Sequence, residues 1–309
     1  MNGNRKKRRN RKRIIIIIIL LMLLLCVLAV FYIISSVHSR AEARQKEAAA
    51  AEEANKAAAE AAEETAEQEE KAAQNAAGSH VIAHRGSAGD DELSFAAYDK
   101  AVEAGAKYIE ADMVVSADGT VYVAHEDESK PMTGYDGYFS GMSDSQIDSL
   151  TTRSGNKVLK LTDLFDKYGD SVTYIVDIKY NAPRNAEALV KTVKEYGNEE
   201  NVVAASFLPK ALNAVEEELP DMTKIYLCSD QGTFNAGLGY SFADIICVPS
   251  DIMNADNLKA ANDSGKKFSA WTLNTEEEIK NAIDLGVDMY FTDDSALAVR
   301  LEEENRKAE

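Results

Sequence analysis

Cysteine is scarce in this sequence, and basic residues are confined to one end of it. Three cysteines occur in 309 residues, and none has the paired spacing of a zinc site. Cys26 lies in an apolar run. Cys228 and Cys247 sit in apolar, strand-like segments and read as small core hydrophobes. A disulfide between these two is the alternative outside a reducing compartment. The formal net charge is −18, and eight Lys or Arg fall within residues 1–13, so everything after them carries −26. That remainder has no basic stripe, which argues against nucleic acid as a partner. Its acidity reads as solubility.

Charge is missing altogether from residues 14–36, "IIIIIILLMLLLCVLAVFYIISS". Such a run of 23 positions is long enough to cross a bilayer as a helix. Basic flanks stay on the cytoplasmic side. The expectation is a single-pass anchor at the cell membrane, with residues 1–13 as a cytoplasmic tail and the rest extracytoplasmic. A cleaved signal peptide has a shorter apolar core, of about 7–15 residues. Leu25 before Cys26 does not suit lipoprotein processing. Within 37–77, residues 41–77 are almost all Ala, Glu, Gln and Lys, which are good helix formers. They lack a sustained heptad of large apolar residues, so a coiled coil is not supported. A solvated helical stalk is expected, reaching about 55 Å if wholly helical.

Residues 78–309 have the composition of a globular domain with one large core. Eight apolar, β-rich runs alternate with amphipathic ones: 80–84, 108–115, 172–179, 202–207, 224–228, 245–249, 267–273 and 287–292. "DELSFAAYDKAVEAG" and "NTEEEIKNAIDLG" show helical spacing and end in glycine. This predicts an α/β fold, a (β/α)8 TIM-type barrel. A further short strand over 120–125 follows Asp118-Gly119, a turn signal. The Gly- and Ser-rich stretch after it is read as a small insertion at the barrel rim.

In such a barrel chemistry sits at the C-terminal strand ends. His84 ends the first strand, followed by Arg85 and Gly86. Glu110 and Asp112 end the second, two apart and so on one face. Asp177 and Lys179 end the third in the same way. His125 ends the accessory strand, and Trp271, the single tryptophan, stands near the end of the seventh. Converging carboxylates repel unless a cation holds them or one is protonated. One polar strand end is ordinary; this many in one pattern point to a site. His38 and His80 follow no apolar strand and are assigned no role. No Ser or Cys nucleophile with an obvious base stands at these strand ends.

The segments "VIAHRG", "AGAKYIEADMVVSADGTVYVAHE", "YIVDIK", "SAWTLN" and "GVDMYFTD", in this order, resemble the glycerophosphodiester phosphodiesterase family. The resemblance covers nearly all of residues 79–305. It implies a divalent cation, Ca²⁺ or Mg²⁺, on Glu110, Asp112 and Asp177. It implies His84 and His125 as the acid–base pair, with Arg85 and Lys179 on the phosphate and Trp271 at the substrate. The substrate would be a small glycerophosphodiester or an envelope polyglycerol phosphate. Four departures bear on substrate choice. Asp91-Glu92-Leu93-Ser94 stands for the family's Pro-Glu-Asn-Thr. Glu126 replaces the Asp after the second histidine, and Asp177 replaces a Glu. "FTDDS" lacks the usual Arg or Asn and Pro. An Asp-x-Lys at this point also resembles the spider-venom phospholipase D group. The rival readings are therefore a phospholipase D-like lyase on intact lipid, which would want an apolar rim on the insertion, and a non-catalytic barrel that binds envelope polymer. Oligomeric state is left open.

The anchor makes a topological prediction. In cells stripped of their wall, external protease should remove the domain beyond residue 78 and leave the basic tail protected. A domain that resists protease until lysis would reverse the orientation.

Overall fold

Alternating apolar and amphipathic runs close into a barrel. The computed structural model describes residues 80–87 and 91–308, with Met22 and Lys56 as single positions. The chain divides into two units, Met1–Ala73 and Gln74–Glu309, and every element below lies in the second. The expected membrane span at 14–36, the stalk at 37–77 and His38 fall outside the described residues, apart from Met22 and Lys56. Among the described residues no helix is long and apolar enough to cross a membrane.

The strands are β1 (Val81–Ala83), β2 (Tyr108–Val115), β3 (Val121–Val123), β4 (Thr173–Ile178), β5 (Val202–Ser206), β6 (Lys224–Leu227), β7 (Ile245–Pro249), β8 (Lys267–Trp271) and β9 (Met289–Thr292). All but β3 are parallel, in the order β1-β2-β4-β5-β6-β7-β8-β9, and β1 pairs with both β2 and β9 to close the sheet. This is the eight-stranded parallel barrel expected from the sequence. The end of β2 outruns β1, and its Met113–Val115 take β3 antiparallel. Helices on the outer surface include α1 (Phe95–Glu103), which follows β1. Two short helices, α2 (Lys130–Thr133) and α3 (Asp144–Ile147), lie in the insertion, and α4 (Leu161–Tyr168) leads into β4.

Strands covered on both faces read as near-continuous apolar runs, which is why these segments were legible. Ile82, Ile175, Ile225, Leu227 and Phe291 fill the barrel interior, while the other strand face packs under the helices with Tyr98, Leu189, Val215 and Phe268. The insertion after His125 is not a bare loop. Tyr122, Phe139, Met142 and Ile147 form a separate small core against Val114 of β2. Its elements are single turns of helix, too short to show a period.

Where strand boundaries differ they shift by one or two residues: β1 starts at Val81, β8 ends at Trp271 and β9 starts at Met289. His80 is structural. Its Nδ1 lies 2.7 Å from the Asp288 carbonyl oxygen, and its backbone N–H donates to Glu302. The disulfide alternative fails. Leu227, not Cys228, stands opposite Cys247, so the two cysteines occupy opposite faces of the sheet. Both are free and buried.

The turn that ends β1 is tightly constrained. Gly86 has φ +94°, and a Cβ there would sit 2.7 Å from the Ala97 backbone and 2.9 Å from the Tyr98 nitrogen, both in α1. Gly86→Ala meets a left-handed backbone and an occupied space together. It should lower stability by about 2–4 kcal/mol, read as a lower urea midpoint. A wild-type midpoint would mean that this turn relaxes freely.

Candidate active site

Eight side chains singled out in the sequence line one cavity of about 280 Å³ at the C-terminal end of the barrel: His84, Arg85, Glu110, Asp112, His125, Asp177, Lys179 and Trp271. The pleat explains the acidic part. Glu110 and Asp112 point the same way from β2, and Asp112 stands in register opposite Asp177 of β4. All three are 4% exposed or less, and they offer oxygens within 4.8 Å of one another.

Three buried carboxylates need cations. Lys179 Nζ lies 2.9 Å from Asp112 Oδ1 and 3.0 Å from Asp177 Oδ2. Arg85 Nε lies 3.1 Å from Asp112 Oδ2, and its Nη1 donates to Glu92 at 3.0 Å. The Arg85 backbone N–H donates to Glu110 at 2.8 Å. That bond helps hold Arg85 at φ 55°, an uncommon conformation for a residue with a Cβ. Compensation is incomplete. Burial first, then Asp112 and Asp177, raise the Glu110 pKa well above the carboxylate range. Burial, opposed by Lys179 and reinforced by Asp112, pushes Asp177 up to about 6. Burial works against the Lys179 charge, but Asp177 and Asp112 raise its pKa all the same.

Asp112 Oδ2 and Asp177 Oδ1 are buried and accept no hydrogen bond. Asp177 Oδ1 is left without a partner, Asp112 Oδ2 meets Arg85 Nε only as an ion pair, and this all-oxygen set beside a third carboxylate suits a hard divalent cation. The residues present therefore fit such a group.

Each histidine has its own carboxylate. His84 Nδ1 lies 2.6 Å from Asp293 Oδ1. Asn274 fixes that aspartate from two sides: its Nδ2 donates to Asp293 Oδ2 at 2.6 Å, and its Oδ1 accepts from the Asp293 N–H at 2.9 Å. The His84 contact holds the Asp293 carboxyl below its usual pKa. His125 Nδ1 lies 2.9 Å from Glu126 Oε1, and Tyr180 donates to Glu126 Oε2 at 2.6 Å. Burial, aided by Lys179 and Arg85 and opposed by Asp112 and Glu126, lowers the His125 pKa. Trp271 donates from its indole to the Cys228 carbonyl at 3.1 Å and meets Phe207 edge-on, so its ring is a fixed wall.

A family model described as the glycerophosphoryl diester phosphodiesterase family matches residues 84–297. The chain belongs to this family. Glycerophosphodiester phosphodiesterase of Caldanaerobacter subterraneus subsp. tengcongensis is 27% identical over 236 residues, covering 72% of this chain and 96% of that one. The Bacillus subtilis enzyme of the same name is 22% identical over 249 residues, covering 69% and 82%. Among solved structures, an Oleispira antarctica phosphodiesterase in complex with the product sn-glycerol-3-phosphate has a TM-score of 0.67 at 20% identity, covering 73% of this chain and 97% of that one. Glycerophosphodiester phosphodiesterase of Thermotoga maritima has a TM-score of 0.62 at 24% identity, covering 72% and 98%. As a member of the family the chain is a phosphoric diester hydrolase acting on glycerophosphodiesters, and the non-catalytic reading is set aside.

Within this phosphodiesterase the departures acquire physical meaning. Ser94 caps α1 by accepting from the Ala97 N–H, as the hydroxyl of a Thr would. Glu92, which the family pattern shares, holds the Arg85 guanidinium. Glu126 reaches His125 despite its extra methylene. Sequence reasoning passed over Asp293, Asn274 and Tyr180. The available signal was an acid directly after the last strand, in the one strand that barrel closure sets beside β1.

Asp293 should act through His84. Asp293→Asn should lower kcat by about 10²-fold or more, because an amide in its place favours the wrong imidazole tautomer. The pH profile of kcat should shift with it. A variant at wild-type kcat with an unaltered profile would make the contact incidental.

Proposed function

We propose that this phosphodiesterase cleaves its substrate by acid–base catalysis with His84 and His125, through attack of the substrate's own glycerol hydroxyl. The observation that carries this reading is the pair of histidines in one cavity, each held by a carboxylate, with Arg85, Lys179 and the acidic triad between the strand ends. Arg85 and Lys179 supply the positive charge for the phosphate. A divalent cation on Glu110, Asp112 and Asp177, Ca²⁺ or Mg²⁺, would cancel their repulsion of the substrate and stabilise charge on the phosphoryl oxygens.

The hydroxyl next to the phosphodiester loses its proton to one histidine and forms a new bond to phosphorus. The bond from phosphorus to the other ester oxygen breaks, and the second histidine protonates the departing alcohol. A cyclic 1,2-phosphate results. Water then opens it with the histidine roles reversed, leaving glycerol phosphate. Attack from within the substrate replaces part of the entropic barrier, and each acid–base step contributes about 10²–10⁴-fold. Fixing each ring through Nδ1 leaves Nε2 as the nitrogen that moves the proton.

The substrate in this reading is a glycerol phosphodiester, either a deacylated phospholipid or an envelope polyglycerol phosphate. The membrane anchor would place the reaction at the outer face of the cell membrane. The intact-lipid reading is less supported. The large hydrophobics exposed on the insertion, among the described residues, are Tyr135 and Tyr138, each with a polar hydroxyl, and no aliphatic rim accompanies them.

One assay series tests the reading on glycerophosphocholine. Excess chelator should abolish turnover, and Ca²⁺ or Mg²⁺ should restore it. His84→Asn and His125→Asn should each cost at least about 10²-fold in kcat. A diester lacking the adjacent hydroxyl should bind but react far more slowly. Full activity in chelator would remove the cation, and equal rates for the deoxy analogue would make water the direct nucleophile.

A further inference from the structure

A second cavity, of about 380 Å³, lies between the turn after β1 and the insertion. Arg85 and His125 line both cavities, so the two spaces meet at a phosphate-binding side chain and at one histidine. A phosphodiester has two arms that diverge from phosphorus. The catalytic cavity is the smaller, and Phe207, Leu227, Trp271 and Phe291 close it with an apolar wall. That bounded space suits the glycerol arm, which every substrate shares. The other arm then leaves past Arg85 and His125 into the second cavity.

The lining of the second cavity determines which alcohol fits. Among the described residues it contains four carboxylates, Asp91, Glu92, Glu126 and Glu128, against the guanidiniums of Arg85 and Arg153, a balance of two negative charges. Both arginines are committed. Arg85 is held by Glu92 and Asp112. Arg153 donates to the carbonyl oxygens of Pro131 at 2.8 Å and Lys130 at 2.9 Å, tying the insertion together. Asp91 accepts from Thr152 and Asn156, and Glu126 is occupied by His125 and Tyr180. The Glu128 carboxylate has no hydrogen bond or ion pair among the described residues. Leu93, Pro131 and Met132 add apolar surface beside it.

We propose that this second cavity is the leaving-group subsite and that it selects a cationic amino alcohol, with Glu128 facing the ammonium. The proposal rests on the phosphodiesterase mechanism above and deepens it. Charge and carbon together match a substituted ammonium: carboxylates meet the charge, and Leu93 and Met132 meet the alkyl groups. An envelope polyglycerol phosphate would set its next phosphate among four carboxylates, so deacylated aminophospholipids are the better substrates.

The test is kcat/KM of the full chain on glycerophosphocholine, glycerophosphoethanolamine and the neutral-alcohol diester glycerophosphoglycerol. The cationic diesters should exceed glycerophosphoglycerol by about 10-fold at low salt, and the ratio should shrink as salt rises. Glu128→Gln should reduce the ratio by up to about fivefold, and Glu128→Lys should reduce it further. Taking the ratio within one preparation cancels any loss of folded enzyme. A wild-type ratio near one, or a ratio that neither Glu128 variant moves, overturns the subsite. Absence of turnover on all three diesters would instead overturn the phosphodiesterase mechanism, and the subsite with it.

Discussion

Three carboxylates are buried at one end of the barrel, and the surrounding structure answers their mutual repulsion. Glu110, Asp112 and Asp177 converge because the strand pleat and the β2–β4 register leave them no other direction. A buried charge without a partner is costly. Lys179 bridges two of the three, the Arg85 side chain leans on Asp112, and the Arg85 backbone N–H serves Glu110. The left-handed turn at Arg85 and Gly86 aims both the N–H and the guanidinium at the triad. The positive charges that offset the triad are, in the proposed mechanism, also the ones that meet the phosphate, so that reading draws electrostatic relief and substrate attraction from the same side chains.

The two histidines are supported from different parts of the fold. His84 depends on closure of the barrel, because Asp293 and Asn274 come from the last strands and meet β1 only when the sheet closes. His125 depends on the insertion. It follows β3, whose packing rests on the small core around Tyr122 and Phe139, and its carboxylate Glu126 is adjacent in sequence. A change that loosens the insertion would therefore disturb one histidine and leave the other in place. The same insertion forms one wall of the second cavity, so the proposed subsite and the position of His125 share its packing.

The departures from the family pattern are conservative in what they do. Ser94 keeps a helix cap, Glu126 keeps a carboxylate on His125, and Asp177 keeps a carboxylate in the triad while pairing with Lys179. These three alter reach more than charge, whereas Asp91 adds a carboxylate where the family has Pro. The altered positions Asp91 and Leu93, on either side of the retained Glu92, border the second cavity, which the proposal assigns to the alcohol and not to phosphorus.

Local patterning was enough to specify much of this protein. Apolar runs buried on both faces announce parallel strands, and side chains two apart on a strand share a face whatever the rest of the chain does. Barrel class and the grouping of Glu110 with Asp112, and of Asp177 with Lys179, were legible for that reason. The position of His84 at a strand end was legible too. The tertiary structure decided what depends on register and closure. Asp293 reaches His84 across 209 residues because β9 pairs with β1. Cys228 and Cys247 are kept apart because a one-residue offset in register turns side chains to opposite faces. The insertion folds around its own core although its helical turns are too short to carry a period, and the second cavity exists only where that core meets the first turn. Such features are set by contacts between distant segments, whose free energy is fixed by geometry and leaves no periodic trace in either segment alone.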